Sequence, residues 1–193
     1  MIVKCVTNRI DELSMADCLR ADLREWFPHD PVRLTPGAEY VVYAIEIRDS
    51  VPWYFITDDD IKEYPIRYSA AFFEVVDNRL SKYWQFGFSY DQLNVVDDYR
   101  TVTIGFPELL DDAAFFARLL DSDESVQTIF DRMKSLMDLE YPRSSVKLTA
   151  TVCDGEWLMC PKCFDAWESG SRDGLCRCPA CDELLRNPRF ESS

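Results

Sequence analysis

The residues best equipped for chemistry are cysteines, and six of the chain's eight lie between Cys153 and Cys181. Within that stretch Cys160-Pro161-Lys162-Cys163 is matched by Cys178-Pro179-Ala180-Cys181, with fourteen residues between the two motifs. Two residues between thiols let a tight turn aim both sulfurs at one ion, while the amides of the turn hydrogen-bond to the thiolates. Two such turns complete a tetrahedral set of four sulfurs, the arrangement Zn2+ takes in structural sites. The expected metal ligands are Cys160, Cys163, Cys178 and Cys181, and the expected cofactor is one structural Zn2+. Four thiolates fill the coordination shell and leave no position for a substrate water, so such a site supports folding and does not hydrolyse. Cys153 and Cys176 lie close enough in sequence to stand in as ligands. The other reading makes them buried strand positions beneath the metal site.

Those ligands must be held by short strands. Trp157-Leu158-Met159 leads into the first motif and Leu175-Cys176-Arg177 into the second. Phe164 to Glu168 supplies a further strand, and the Gly170/Gly174 region a turn and the return. Over residues 150–185 the pattern closely resembles a zinc ribbon, and residues 146–193 are read as that module.

The remaining residues, 1–145, are read as one acidic α+β domain. Residues 1–7 alternate and predict a strand. Ile10, Leu13, Leu19, Leu23 and Trp26 recur at helical steps and predict an amphipathic helix over 10–26, ended by Phe27-Pro28-His29-Asp30-Pro31. Short runs rich in Val, Ile, Tyr, Phe and Trp then predict strands at 32–35, 39–48, 51–57, 71–76, 82–89 and 100–105, with Pro36-Gly37 and Asp49-Ser50 as turns. Such strands favour an antiparallel sheet that curls into a small barrel. From Pro107 two apolar periodicities predict helices, first through Leu120, then from Val126 to Glu140. Tyr141-Pro142-Arg143-Ser144-Ser145 is the candidate linker.

Residues 32–77 resemble the small SH3-like modules of many bacterial proteins. The resemblance rests on Leu34-Thr35-Pro36-Gly37-Ala38-Glu39-Tyr40-Val41-Val42-Tyr43, then Trp53-Tyr54-Phe55-Ile56, Tyr64-Pro65 and Phe72-Phe73-Glu74-Val75-Val76. It implies a fold and no activity. The expected class is therefore α+β: a curled antiparallel, SH3-like sheet with flanking helices, plus the small C-terminal ribbon.

No second chemical constellation stands out. Asp58-Asp59-Asp60 lacks the alternating ligand spacing and glycine of a calcium loop and reads as a solvated turn. Asp97-Asp98 reads as a loop, and Asp111-Asp112 as a helix start. The single histidine, His29, sits in a proline-flanked turn, and phosphate-loop, dinucleotide and nucleophile-elbow motifs are missing. Cys5 and Cys18 read as small buried apolar residues. No catalytic residues are assigned, and the chain is read as a non-enzyme.

Charge narrows the function. Lys and Arg number 21 against 35 Asp and Glu, a formal net charge of −14. Residues 146–193 carry six basic and eight acidic side chains, so most of the acidity belongs to the larger domain. A chain this acidic repels phosphate, which disfavours nucleic acid and anionic membranes as partners. The start shows no signal peptide and nothing nears the roughly 20 apolar residues a membrane span needs, so the expected location is cytoplasmic. An acidic non-enzyme suits a basic partner protein, because opposed charge speeds encounter. The N-terminal domain is similar in composition to immunity proteins that guard bacteria against toxins, which implies a basic toxin as partner. The alternative is a zinc-ribbon adaptor or regulator acting on nucleic acid or on a nucleic-acid enzyme, through a basic stripe at Lys162, Arg172 and Arg177.

Overall fold

The computed structural model of the chain describes residues 1–48, 50–90 and 100–190; Asp97-Asp98 and the Cys18 side chain lie outside them. It is mixed α+β with mostly antiparallel sheets. Contacts divide it into two units, Met1–Lys134 and Ser135–Ser193. No helix among the described residues is long and apolar enough to cross a membrane.

In the first unit β1 (Ile2–Cys5) is the middle of a three-stranded sheet. Its Ile2, Val3 and Cys5 are all buried, while Lys4 reaches the directly opposed Glu74 at 2.7 Å. The helix expected over 10–26 forms only as α1 (Asp17–Trp26), preceded by a 3-10 turn at Ile10–Glu12. Side chains interrupt the longer helix. Thr7 Oγ1 donates to the Glu12 carboxylate and accepts from the Arg9 N–H, and Arg20 Nη1 donates to the Leu13 carbonyl. Local bonds of this kind compete with the helical ladder.

The expected strand at 39–48 divides into β2 (Glu39–Val41), beside β1, and β3 (Ala44–Arg48) in a second sheet. Val42 and Tyr43 are the corner. The Val42 N–H donates to the Met1 carbonyl, and the Tyr43 N–H to that of Phe55. Tyr40 to Ala44 are buried without a polar break, as a corner covered on both sides requires. Residues 32–35 are irregular instead of a strand. Val32 and Leu34 are still buried, and Asn8 Nδ2 donates to the Leu34 carbonyl that a ladder would have used.

The second sheet adds β4 (Val51–Ile56) and β5 (Ile66–Ser69); β6 (Phe73–Asp77) returns to the edge of β1. With β7 (Gln85–Tyr90) and β8 (Arg100–Gly105) the five-stranded order is β5-β4-β3-β8-β7. The helical stretch after Pro107 divides at Asp112 into α2 (Pro107–Asp111) and α3 (Phe115–Leu120). The Asp112 carboxylate accepts the Ala114 N–H at 2.9 Å and pairs with Arg118 at 2.7 Å, which fixes the break. The α4 helix follows at Glu124–Glu140.

Asp58 overturns the expectation of a solvated acidic turn. Asp59 and Asp60 are exposed, but Asp58 is 0% exposed. Its Oδ1 accepts the N–H groups of Asp60 at 3.0 Å and Ile61 at 2.7 Å, and its Oδ2 accepts the Tyr68 hydroxyl at 2.8 Å. The first carboxylate of the run thus closes the turn from inside and joins it to β5. Replacing a buried acceptor strands its donors, at about 1–3 kcal/mol for each group left dry. Asp58→Ala is expected to lower stability by about 3 kcal/mol, and Asp58→Asn, which keeps one acceptor oxygen, by less. Urea unfolding of the full chain checks this, and an unchanged midpoint for Asp58→Ala would refute the role.

Candidate metal centre

The second unit is built from two hairpins that share one register. In the first, β9 (Thr151–Asp154) pairs with β10 (Trp157–Met159), which pairs with β11 (Ala166–Glu168). In the second, β12 (Leu175–Arg177) pairs with β13 (Leu184–Arg186). Met159 faces Ala166 as Arg177 faces Leu184, and Leu158 faces Trp167 as Cys176 faces Leu185. Each Cys-Pro-x-Cys motif is the tip of its hairpin. Ala150, Leu158, Cys160, Cys176, Cys178 and Leu185 form the small core beneath, with Trp167 and Cys181 packed on it.

The tips close in the same way. The Cys160 N–H donates to the Asp165 carbonyl at 2.9 Å and the Phe164 N–H to that of Cys160 at 3.0 Å. In the other tip the Cys178 N–H donates to the Glu183 carbonyl and the Asp182 N–H to that of Cys178, both at 3.0 Å. The residue after each second cysteine takes a left-handed backbone, φ 63° at Phe164 and 58° at Asp182. Aspartate tolerates that region; a bulky residue such as phenylalanine rarely does.

Cys160, Cys163, Cys178 and Cys181 present four sulfurs within 4.8 Å of one another, a cluster that can hold a metal ion. Across the tips, Cys160 and Cys181 sulfurs are 3.7 Å apart and those of Cys163 and Cys178 3.6 Å. These separations far exceed the ~2.05 Å of a disulfide. They approach the ~3.8 Å edge of a tetrahedron with metal–sulfur bonds of about 2.3 Å, so the donor set suits zinc. Electrostatics agrees. Burial pushes the Cys160 thiol up, but N–H donors of Cys163 and Lys162 outweigh it and bring the thiol down to about 7. At Cys181 the Glu183 N–H favours the thiolate, yet burial and the neighbouring sulfurs of Cys163, Cys178 and Cys160 push the thiol up to about 12. The bare cluster therefore favours the thiolate at Cys160 and the neutral thiol at Cys163 and Cys181, a conflict that a bound cation would relieve.

Cys153 and Cys176 are outside this cluster. Cys176 is a buried strand position in the small core beneath the cluster, its thiol pushed up to about 11 by burial first and then by Cys160 and Cys178. Cys153 is exposed on β9, contrary to the reading that placed it beneath the site. His29 is exposed in the first unit.

Several supporting residues were not singled out from sequence. Arg189 Nη1 donates to the carbonyls of Glu156 and Ser169, and Nη2 to that of Gly155, clipping the C-terminal segment to the first hairpin. Arg186 Nε donates to the Val146 carbonyl at 2.7 Å. Gly174 marks a close backbone approach: its N–H donates to the Glu140 carbonyl at 3.0 Å, and a Cβ there would sit 2.3 Å from the Pro142 nitrogen. The 141–145 segment read as a linker is thus held against the second hairpin, with Tyr141 only 2% exposed. An arginine or glycine aimed at carbonyls carries no spacing signal that a single sequence displays.

The cations of the expected basic stripe all face carboxylates. Lys162 pairs with Glu183, Arg177 with Asp182 at 3.2 Å, and Arg172 approaches Glu156 at 4.0 Å.

No protein-family model, curated protein or solved structure matches the chain. Protein purified without added metal is expected to carry about one equivalent of a thiophilic divalent ion, lost in Cys160→Ser and in Cys178→Ser. Metal analysis of the three proteins checks this; a metal-free native protein, or full retention in both variants, would dissolve the assignment.

Proposed function

We propose that the protein is a non-catalytic acidic binding protein of the immunity or antitoxin type, which neutralises a basic partner protein and carries a structural zinc ribbon. The ion is Zn2+, because four thiolates at tetrahedral spacing are its preferred closed site and leave no vacancy for substrate. The curled, SH3-like character of the larger unit draws support from the run at 39–48, which leaves one sheet to enter another.

One observation carries the partner's chemistry. In Met1–Lys134 most arginines are engaged by the chain's own carboxylates: Arg20 by Asp17, Arg24 by Asp11, Arg67 by Glu46, Arg118 by Asp112 and Asp123. Asp22, Glu25, Asp121 and Glu124 are exposed and have no ion-pair partner among the described residues. The field that reaches solvent is therefore negative, and a basic protein surface is its complement. In the ribbon Arg186 and Arg189 are spent on backbone carbonyls and the three stripe cations on carboxylates, which leaves little to grip phosphate.

A basic protein captured from the source cell is expected to associate fast at low salt and roughly tenfold more slowly near 0.15 M, where screening cuts the reach of charge to about 8 Å. Charge reversal at Asp22, Glu25, Asp121 and Glu124 should lower the on-rate more than it raises the off-rate, as stopped-flow mixing will read. Retention of nucleic acid instead, abolished by Lys162→Glu, Arg172→Glu and Arg177→Glu, would put the adaptor reading in its place.

A further inference from the structure

The α1 helix leaves the edge of its apolar face in solvent. Leu23 points into the core, and beside it on the same side of the helix Leu19 stays 39% and Trp26 53% exposed. Leu19, Asp22 and Trp26 follow at three- and four-residue steps, so they line one outer face, with Glu25 beside Asp22. Half-exposing a tryptophan is unfavourable in isolation. Yet this indole is held firmly from below. Trp53 lies 5.8 Å away, ring centroid to centroid, and the Arg67 guanidinium sits 5.6 Å from the Trp26 ring. Arg67 is in turn fixed by both oxygens of the buried Glu46, at 3.2 and 3.3 Å. The ring is thus pre-ordered before anything binds, and pre-ordering lowers what association costs.

Charge says what fits there. The two arginines of α1 are taken by Asp17 and Asp11, whereas Asp22 and Glu25 have no ion-pair partner among the described residues. A rigid indole bordered by uncompensated carboxylates is complementary to a side chain with a cationic head and an apolar stem. We propose that this outer face of α1 is the docking surface for a basic protein, with Trp26 as the stacking platform for one of its arginines or lysines, and Asp22 and Glu25 as the charges that hold the head. The proposal rests on the basic-partner reading above and gives it a location.

Octa-arginine is the probe, titrated by calorimetry at low ionic strength into the full chain and its variants. Asp22→Asn with Glu25→Asn is expected to weaken binding roughly tenfold, and Trp26→Ala by a similar factor. Asp121→Asn with Glu124→Asn removes the same charge from another surface and should change affinity less than about twofold. Trp26→Phe, which keeps a ring, should fall between, and it decides the matter if Trp26→Ala fails to fold. Equal weakening by the two paired variants, with Trp26 substitutions neutral, would overturn the docking surface and leave the basic-partner reading standing. Absence of any octa-arginine binding would remove both.

Discussion

Four sulfurs drawn within 4.8 Å of one another repel as they ionise, and the C-terminal unit is organised around relieving that repulsion. Beneath the cluster the packed apolar side chains are Ala150, Leu158, Leu185 and the cysteines themselves, with Trp167 laid on top. A core this small around the tips gains from any further cross-link between the two hairpins. Two of the core members, Cys160 and Cys178, are also cluster members, so an ion bound there would tighten the hydrophobic core at the same time. Backbone N–H donors at the tips begin the work by favouring the first thiolate, and the hairpins supply the shared register that points both pairs inward.

The larger unit solves a related problem without an ion. Asp58 is a carboxylate taken fully out of water, tolerated because two amides and a tyrosine hydroxyl meet its oxygens. Asp59 continues the network outward through Tyr40 and Thr35. Tyr40 and Tyr68 also belong to the main core, so the polar network and the apolar packing share side chains. Each unit therefore places its most demanding polar groups at the point where its elements meet.

The four-cysteine cluster was legible because two-residue spacing between paired cysteines has few other physical meanings, and nothing in the tertiary fold is needed to read it. Strands from Glu39 to Ile56 and the helix from Glu124 were legible through periodicity. What escaped was decided by single side-chain bonds. The Thr7–Glu12 contact shortened a helix, Asp112 divided another, and Asn8 stood in for a strand partner at Leu34. The strand Ile66–Ser69 was missed because it places Arg67 between apolar residues, and only the fold shows that Glu46 and three aromatic rings receive it. Asp58 looked like its two neighbours in the run; burial, which sequence does not display, separates it from them.

The separate closure of the two cysteine tips bears on how an ion would leave. Each tip is locked by its own pair of backbone hydrogen bonds, so one can open while the other stays shut. An ion held there would then lose two sulfurs and keep two, and recapture would compete with escape at every opening. Departure would be a sequence of partial steps, quickened by a competing chelator that occupies the vacated positions. The first tip is the weaker lock, because Phe164 holds a left-handed backbone that its side chain disfavours and is 72% exposed, whereas Asp182 fits the same place readily. Metal exchange should thus have a direction, beginning at Cys163 and ending at Cys178.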